Sequence, residues 1–203
     1  MMKIKVCGLN PNRDVQLCID LKVNLLGFVF YEKSPRNVNI SDINILSEYD
    51  KKKSAFVAVT INPSDDFIKK NIIGNFDYIQ LHGSETKDRV AEIKKTGLKV
   101  IKAIKVKEEK DIGLYREFDS ADIILFDTPG MEKSLEFPKN LITKLPVGTK
   151  YALAGSISED NVENINKLGV NFFDLSSSLE GQLGYKDHHK IKSFINKINE
   201  LKN

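Results

Sequence analysis

Cysteine is almost missing from this 203-residue chain, which holds only Cys7 and Cys18. Two cysteines make neither a disulfide framework nor a metal site, and a reducing cytoplasm suits them. Arginine is nearly as scarce: Arg13, Arg36, Arg89 and Arg116 are the only four, and lysine supplies the other basic residues. No apolar run approaches the roughly 20 residues of a membrane helix, and no apolar segment precedes the first strand as a signal peptide would. A net charge of +3, from lysines interleaved with carboxylates, demands no nucleic acid and no membrane. The densest basic run, Lys51-Lys52-Lys53, reads as a solvated helix end or loop.

What is present is enough for one well-buried core, and residues 1–203 read as one domain. The hydrophobic fraction of 41% and charged fraction of 29% are those of a globular protein. Apolar runs of strand length fall at 2–7, 25–30, 55–60, 76–81, 99–104, 121–126, 151–154 and 171–175. Helical spacing or caps predict helices between them: 12–21, 41–49 from Ser41, 64–71 from Ser64, 84–95 from Ser84 and 108–118. A short segment at 139–144, a helix at 158–168 from Ser158, and 187–201 complete the set. Eight apolar strands alternating with eight helical segments describe a (β/α)₈ TIM barrel near its lower size limit. An open doubly wound sheet is the alternative, but no GxGxxG loop follows the first strand.

In such a barrel the chemistry sits at the carboxyl ends of the strands. Cys7 follows strand one, Arg36 strand two, Gln80 and His82 strand four, Asp127 strand six, and Ser176-Ser177-Ser178 strand eight. By its position Cys7 is either inert packing or a nucleophile or base; with strands one and six on opposite sides of the ring, it and Asp127 can flank a small ligand and divide the work of base and acid between them. Alternation puts Lys5 on the face of Cys7. A lysine there needs a partner, and Asp174 on neighbouring strand eight predicts a Lys5–Asp174 pair that also helps hold a Cys7 thiolate. The ends of strands seven and eight, with Gly155, Ser156 and the three serines, suit a phosphate held by backbone N–H groups and a short extra helix, or are ordinary strand-to-helix turns rich in small residues; the serines by themselves favour neither. Cys18 lies on the apolar side of the first helix and reads as core; His188 and His189 receive no role.

Read in order, Lys5-Val6-Cys7-Gly8-Leu9, the block from Gly27 to Arg36, Gln80-Leu81-His82-Gly83-Ser84-Glu85, Asp127-Thr128, Leu153-Ala154-Gly155, Asn161-Val162 and Asp174-Leu175-Ser176-Ser177 resemble phosphoribosylanthranilate isomerases of tryptophan biosynthesis. The resemblance spans almost the whole chain. It implies a cofactor-free Amadori rearrangement of a small phosphorylated substrate in the cytoplasm, by a monomer or homodimer. Cys7 then matches the general base at the sugar C2, and Asp127 the general acid at the ring oxygen. Arg36 matches the guanidinium that holds the anthranilate carboxylate, and Gln80 and His82 match residues lining the cleft.

Departures gather at the phosphate end. The family's glycine-rich loop after strand six is replaced by the Pro129–Phe137 segment, and Glu132 would bring a carboxylate towards a dianion unless it turns to solvent. Ser156 and Ser178 stand where glycines are usual. Indole-glycerol-phosphate synthase would want a segment before strand one and catalytic lysines on its strands. A barrel that binds a phosphorylated metabolite without turnover is the alternative from another class.

Overall fold

In the computed structural model, described over residues 2–130, 136–148 and 150–201, eight parallel strands close on themselves in chain order. They are β1 (Lys3–Cys7), β2 (Leu25–Phe30), β3 (Ala55–Thr60), β4 (Tyr78–Leu81), β5 (Lys99–Lys105), β6 (Ile123–Asp127), β7 (Tyr151–Leu153) and β8 (Phe172–Leu175). Each strand is buried on both faces. Leu25, Val57, Ile101, Ala103, Ile123 and Leu125 fill the lumen. Ile4, Val6, Leu26, Phe28, Phe56 and Phe126 pack outward under the helices. Two apolar faces explain why the strands read as continuous apolar runs rather than as alternating ones.

The outer layer is less regular than its caps suggested. Its helices are α1 (Val15–Asp20), α2 (Asp65–Phe67), α3 (Lys87–Lys94), α4 (Glu109–Ile112), α5 (Lys139–Ile142), α6 (Val162–Lys167) and α7 (His188–Glu200). Residues Ile40–Glu48 form 3₁₀ turns rather than an α-helix, with no side-chain cap. Their two buried residues, Ile43 and Leu46, are three apart, the spacing a 3₁₀ turn superimposes. Ser64 caps α2 as expected, accepting from the Phe67 amide at 3.2 Å. Ser84 does not cap α3; Thr86 does, accepting from Arg89, while the Ser84 hydroxyl donates to Asn62. Asn161, not Ser158, precedes α6, and the helix expected over 108–118 gives way to 3₁₀ turns at Gly113–Glu117. Sequence periodicity did not reveal the hairpin after β8, formed by β9 (Glu180–Gln182) and β10 (Tyr185–Lys186).

Closure joins the last strand to the first, and Lys5 stands directly opposite Asp174 in that ladder. The Lys5 ammonium donates to both Asp174 oxygens at 2.9 Å, in a lumen where the lysine is 2% exposed. The expected interior pair is therefore present. Gly27 makes room for it, since a Cβ there would lie 3.2 Å from both the Cys7 Sγ and the Lys5 Nζ.

Breaking a buried pair by removing one partner leaves the other charge without compensation. We expect Lys5→Met to lose about 3–5 kcal/mol of unfolding free energy in urea, and Lys5→Met with Asp174→Leu to recover most of that loss. A single variant within about 1 kcal/mol of wild type would show the pair to be energetically idle.

Candidate active site

The carboxyl-terminal mouth of the barrel encloses a cavity of about 190 Å³. Every residue expected to act in catalysis or binding lines it: Cys7, Arg36, Gln80, His82, Asp127, Gly155, Ser156, Ser176, Ser177 and Ser178. They come from β1, β2, β4 and β6 to β8 because parallel strands end at the same level of the ring. One relation differs from the sequence expectation. In a closed ring of eight, β6 lies three strands from β1 rather than diametrically across. The intervening strands are β7 and β8, so Cys7 and Asp127 flank the two loops that carry Gly155, Ser156 and the serines.

Asp127 ends β6 with one oxygen accepting from its neighbour's amide, Thr128, at 2.8 Å. Its other oxygen lies 3.1 Å from His82 Nε2. The Gln80 amide nitrogen is 3.1 Å from His82 Nδ1. With the amide in this orientation it donates to Nδ1, and Nε2 faces Asp127. The Gln80 carbonyl oxygen is then the one buried side-chain atom among the described residues without a hydrogen-bond partner.

Cys7 sits above the lumen pair. Burial pushes its thiol above the ordinary value; the Lys5 ammonium pulls the other way without overcoming it, and Asp174 adds to the rise. Lys5 itself is raised: burial opposes its charge, but the Asp174 carboxylate more than compensates. The resting site thus holds a charged lysine and a neutral thiol, and Lys5 does less for the thiolate than the sequence suggested. Cys18, fully buried, is pushed by desolvation to about 12 and is inert packing.

Arg36 is not simply an open fork. Its Nε and Nη2 donate to Glu180 at 2.6 and 2.9 Å. Ser176 donates to the Cys7 carbonyl at 3.2 Å, tying the eighth loop to the first. The turn Ser177–Leu179 is the short extra helix, of 3₁₀ form. Ser156 adopts φ +47°, where glycine would be unstrained. Glu132 lies outside the described residues. Among the described residues no group of three His, Cys, Asp or Glu side chains is gathered as for a metal ion.

Residues 4–197 match the family described as N-(5'phosphoribosyl)anthranilate (PRA) isomerase. The chain belongs to that family. It is 33% identical over 207 residues to the N-(5'-phosphoribosyl)anthranilate isomerase of Legionella pneumophila, covering 97% of each chain. The phosphoribosyl anthranilate isomerase of Thermotoga maritima superposes with a TM-score of 0.86 at 26% identity, over 98% of this chain and 100% of that one. A further phosphoribosyl anthranilate isomerase, in complex with reduced 1-(o-carboxyphenylamino)-1-deoxyribulose 5-phosphate, superposes at 0.83 with 26% identity and the same coverage.

This isomerase presents a charged cavity residue that sequence reasoning passed over. Lys105 lines the mouth beside its strand partner Asp127. Ending strand five at Ile104, one residue early, hid it; the inward parity of Ile101 and Ala103 continues to Lys105. Glu85 was likewise seen only as part of a motif. Its carboxylate accepts from the Asn62 and Gly83 amides and from Lys102 at 2.8 Å, all beneath the His82 loop. No described helix is long and apolar enough to cross a membrane.

Burial alone would raise the Glu85 carboxyl, but Lys102 and the backbone amides of Asn62 and of Glu85 itself hold it below its usual value. Its contribution to stability is thus complete above the unfolded value of about 4.3 and lost as pH falls towards the native one. We expect the urea midpoint to drop as pH falls from about 5 to 3. Glu85→Gln should start lower at pH 7 and vary less over that range; a slope identical to wild type would remove Glu85 from the account.

Proposed function

We propose that the chain converts N-(5-phosphoribosyl)anthranilate to 1-(2-carboxyphenylamino)-1-deoxyribulose 5-phosphate, an Amadori rearrangement in tryptophan biosynthesis that needs no cofactor. Family membership supports the substrate. The observation that carries the mechanism is the meeting of Cys7 and Asp127 in one mouth, on either side of the β7 and β8 loops.

Asp127 is the general acid. It protonates the furanose ring oxygen, the C1–O bond breaks, and the anilino nitrogen lone pair forms an iminium at C1. Cys7 is the general base that removes the proton from C2, and those electrons neutralise the iminium to give an enolamine, which tautomerises to the ketone. The reacting form therefore carries the thiol's proton on Asp127 and leaves Cys7 as the thiolate, an ionisation that burial opposes at rest. Once Asp127 has protonated the ring oxygen and Cys7 has taken the C2 proton, the resting thiol and carboxylate are restored. The cationic iminium is itself the field that favours a thiolate nearby, so the base is strongest where the substrate has been opened.

Holding both groups at one sugar lets acid and base act in sequence without diffusion. His82 orients Asp127, and Gln80, through its unmatched carbonyl oxygen, accepts from a sugar hydroxyl. Arg36 takes the anthranilate carboxylate. Gly155, Ser156, Ser176, Ser177 and Ser178 bind the phosphate through their backbone amides, with the serine hydroxyls as added donors where glycines are usual in the family.

The test follows the loss of phosphoribosylanthranilate fluorescence. Cys7→Ser and Asp127→Asn are each expected to lower kcat by about 10²–10⁴ with KM little changed. If either kept near-wild-type turnover, the acid and base assignments would be wrong. A wild type no faster than both variants would favour a non-catalytic binder.

A further inference from the structure

Glu180, at the start of the hairpin after β8, is 8% exposed and collects four donors. Arg36 supplies two, Lys186 Nζ one at 2.7 Å, and the Gly184 amide one at 3.2 Å. The hairpin also grips the chain just ahead of the arginine. Gly184, at φ +79°, lies so close to Pro35 that a Cβ would sit 2.4 Å from the Pro35 carbonyl oxygen. Lys190 of α7 donates to the Glu180 carbonyl at 2.7 Å and fixes the hairpin to the last helix.

This arrangement does more than neutralise a buried acid. An arginine in a mouth loop loses rotamer entropy when it is immobilised. A bidentate carboxylate imposes that order before any ligand arrives, and fixes the guanidinium plane. The same carboxylate also accepts from Lys186, so Arg36 and Lys186 are held at fixed places at the edge of the cavity. Burial works against the Glu180 charge, yet Arg36 and Lys186 hold its carboxyl below the usual range, so the anion is present at neutral pH.

We propose that Glu180 is the positioning residue for Arg36: through the hairpin it presents the guanidinium to the carboxylate of the substrate, and so sets selectivity for a carboxylate-bearing arylamine over an uncharged one. The proposal rests on the reading of Arg36 given above. Lys186 links the same cluster to the phosphate side, because its ammonium donates to the Ser176 carbonyl at 3.2 Å.

The experiment compares two substrates prepared from ribose 5-phosphate, one with anthranilate and one with aniline, which lacks the carboxylate. The readout is the ratio of their kcat/KM values in wild type, Glu180→Gln, Arg36→Ala and the Glu180→Gln/Arg36→Ala double variant. Glu180→Gln is expected to lower the ratio roughly tenfold, through KM for the anthranilate substrate. In the Arg36→Ala background the same change should leave the ratio where Arg36→Ala has put it. Equal loss on both substrates, or an equal drop without Arg36, overturns the proposal, as does an Arg36→Ala variant with the wild-type ratio. A wild type inactive on the anthranilate substrate would instead refute the proposed function. Should Glu180→Gln fail to fold, Glu180→Gln/Lys186→Gln removes both buried charges and is read in the same way; failure of both to fold makes Glu180 structural and overturns the proposal.

Discussion

An ammonium and a carboxylate taken out of water each cost several kcal/mol, and the barrel encloses such a pair at its seam. Lys5 and Asp174 meet where β8 closes on β1, with two hydrogen bonds of 2.9 Å and almost no exposure. Their positions follow from strand register, since the two residues are ladder partners. Once that register is set, every inward residue on the first strand is set with it, and Cys7 emerges two residues above Lys5 at the mouth. A one-residue slip would send Cys7 under the helices and Val6 into the cavity.

The same design recurs around the rim. Loops that carry polar groups into the cavity are braced from below or behind by buried ion pairs rather than by apolar contact alone. Lys102 and Glu85 underpin the loop of His82, with Lys102 also donating to the Gly83 carbonyl. Glu180, between Arg36 and Lys186, ties the second loop to the eighth. Asp14 holds the first loop through the Asn10 amide and reaches His188 at 3.0 Å, which gives that histidine a structural place the sequence reading left empty. Charged pairs have directional hydrogen bonds, so they specify where a loop sits, whereas an apolar contact tolerates sliding.

Electrostatics in the mouth are consequently mixed. The thiol of Cys7 shares its surroundings with Lys5 and Lys186, which favour its ionisation, and with Asp174 and the buried wall, which oppose it. In the mechanism proposed above, a base kept neutral until positive charge develops beside it is protected from adventitious reaction and still available to the reaction. A lysine-rich barrel can use this device because the cations that matter are anchored to carboxylates and do not wander.

Periodicity and residue type were sufficient for the barrel, for the inward face of Lys5 and Cys7, for the lumen partner Asp174, and for ten of the residues that line the mouth. All of these depend on short-range rules: two-residue alternation along strands and the common level at which parallel strands end. Local signals failed where competing caps lay close together, as with Ser84 against Thr86, and where i,i+3 burial drew Ile40–Glu48 into 3₁₀ turns. What only the tertiary structure decided are the pairings between residues far apart in the chain: Glu180 with Arg36, Glu85 with Lys102, Gln80 through His82 to Asp127. Whether Cys7 rests as thiol or thiolate belongs with them. Such partners depend on loop paths, and the balance between burial and nearby charge depends on distances that no pattern in one dimension encodes.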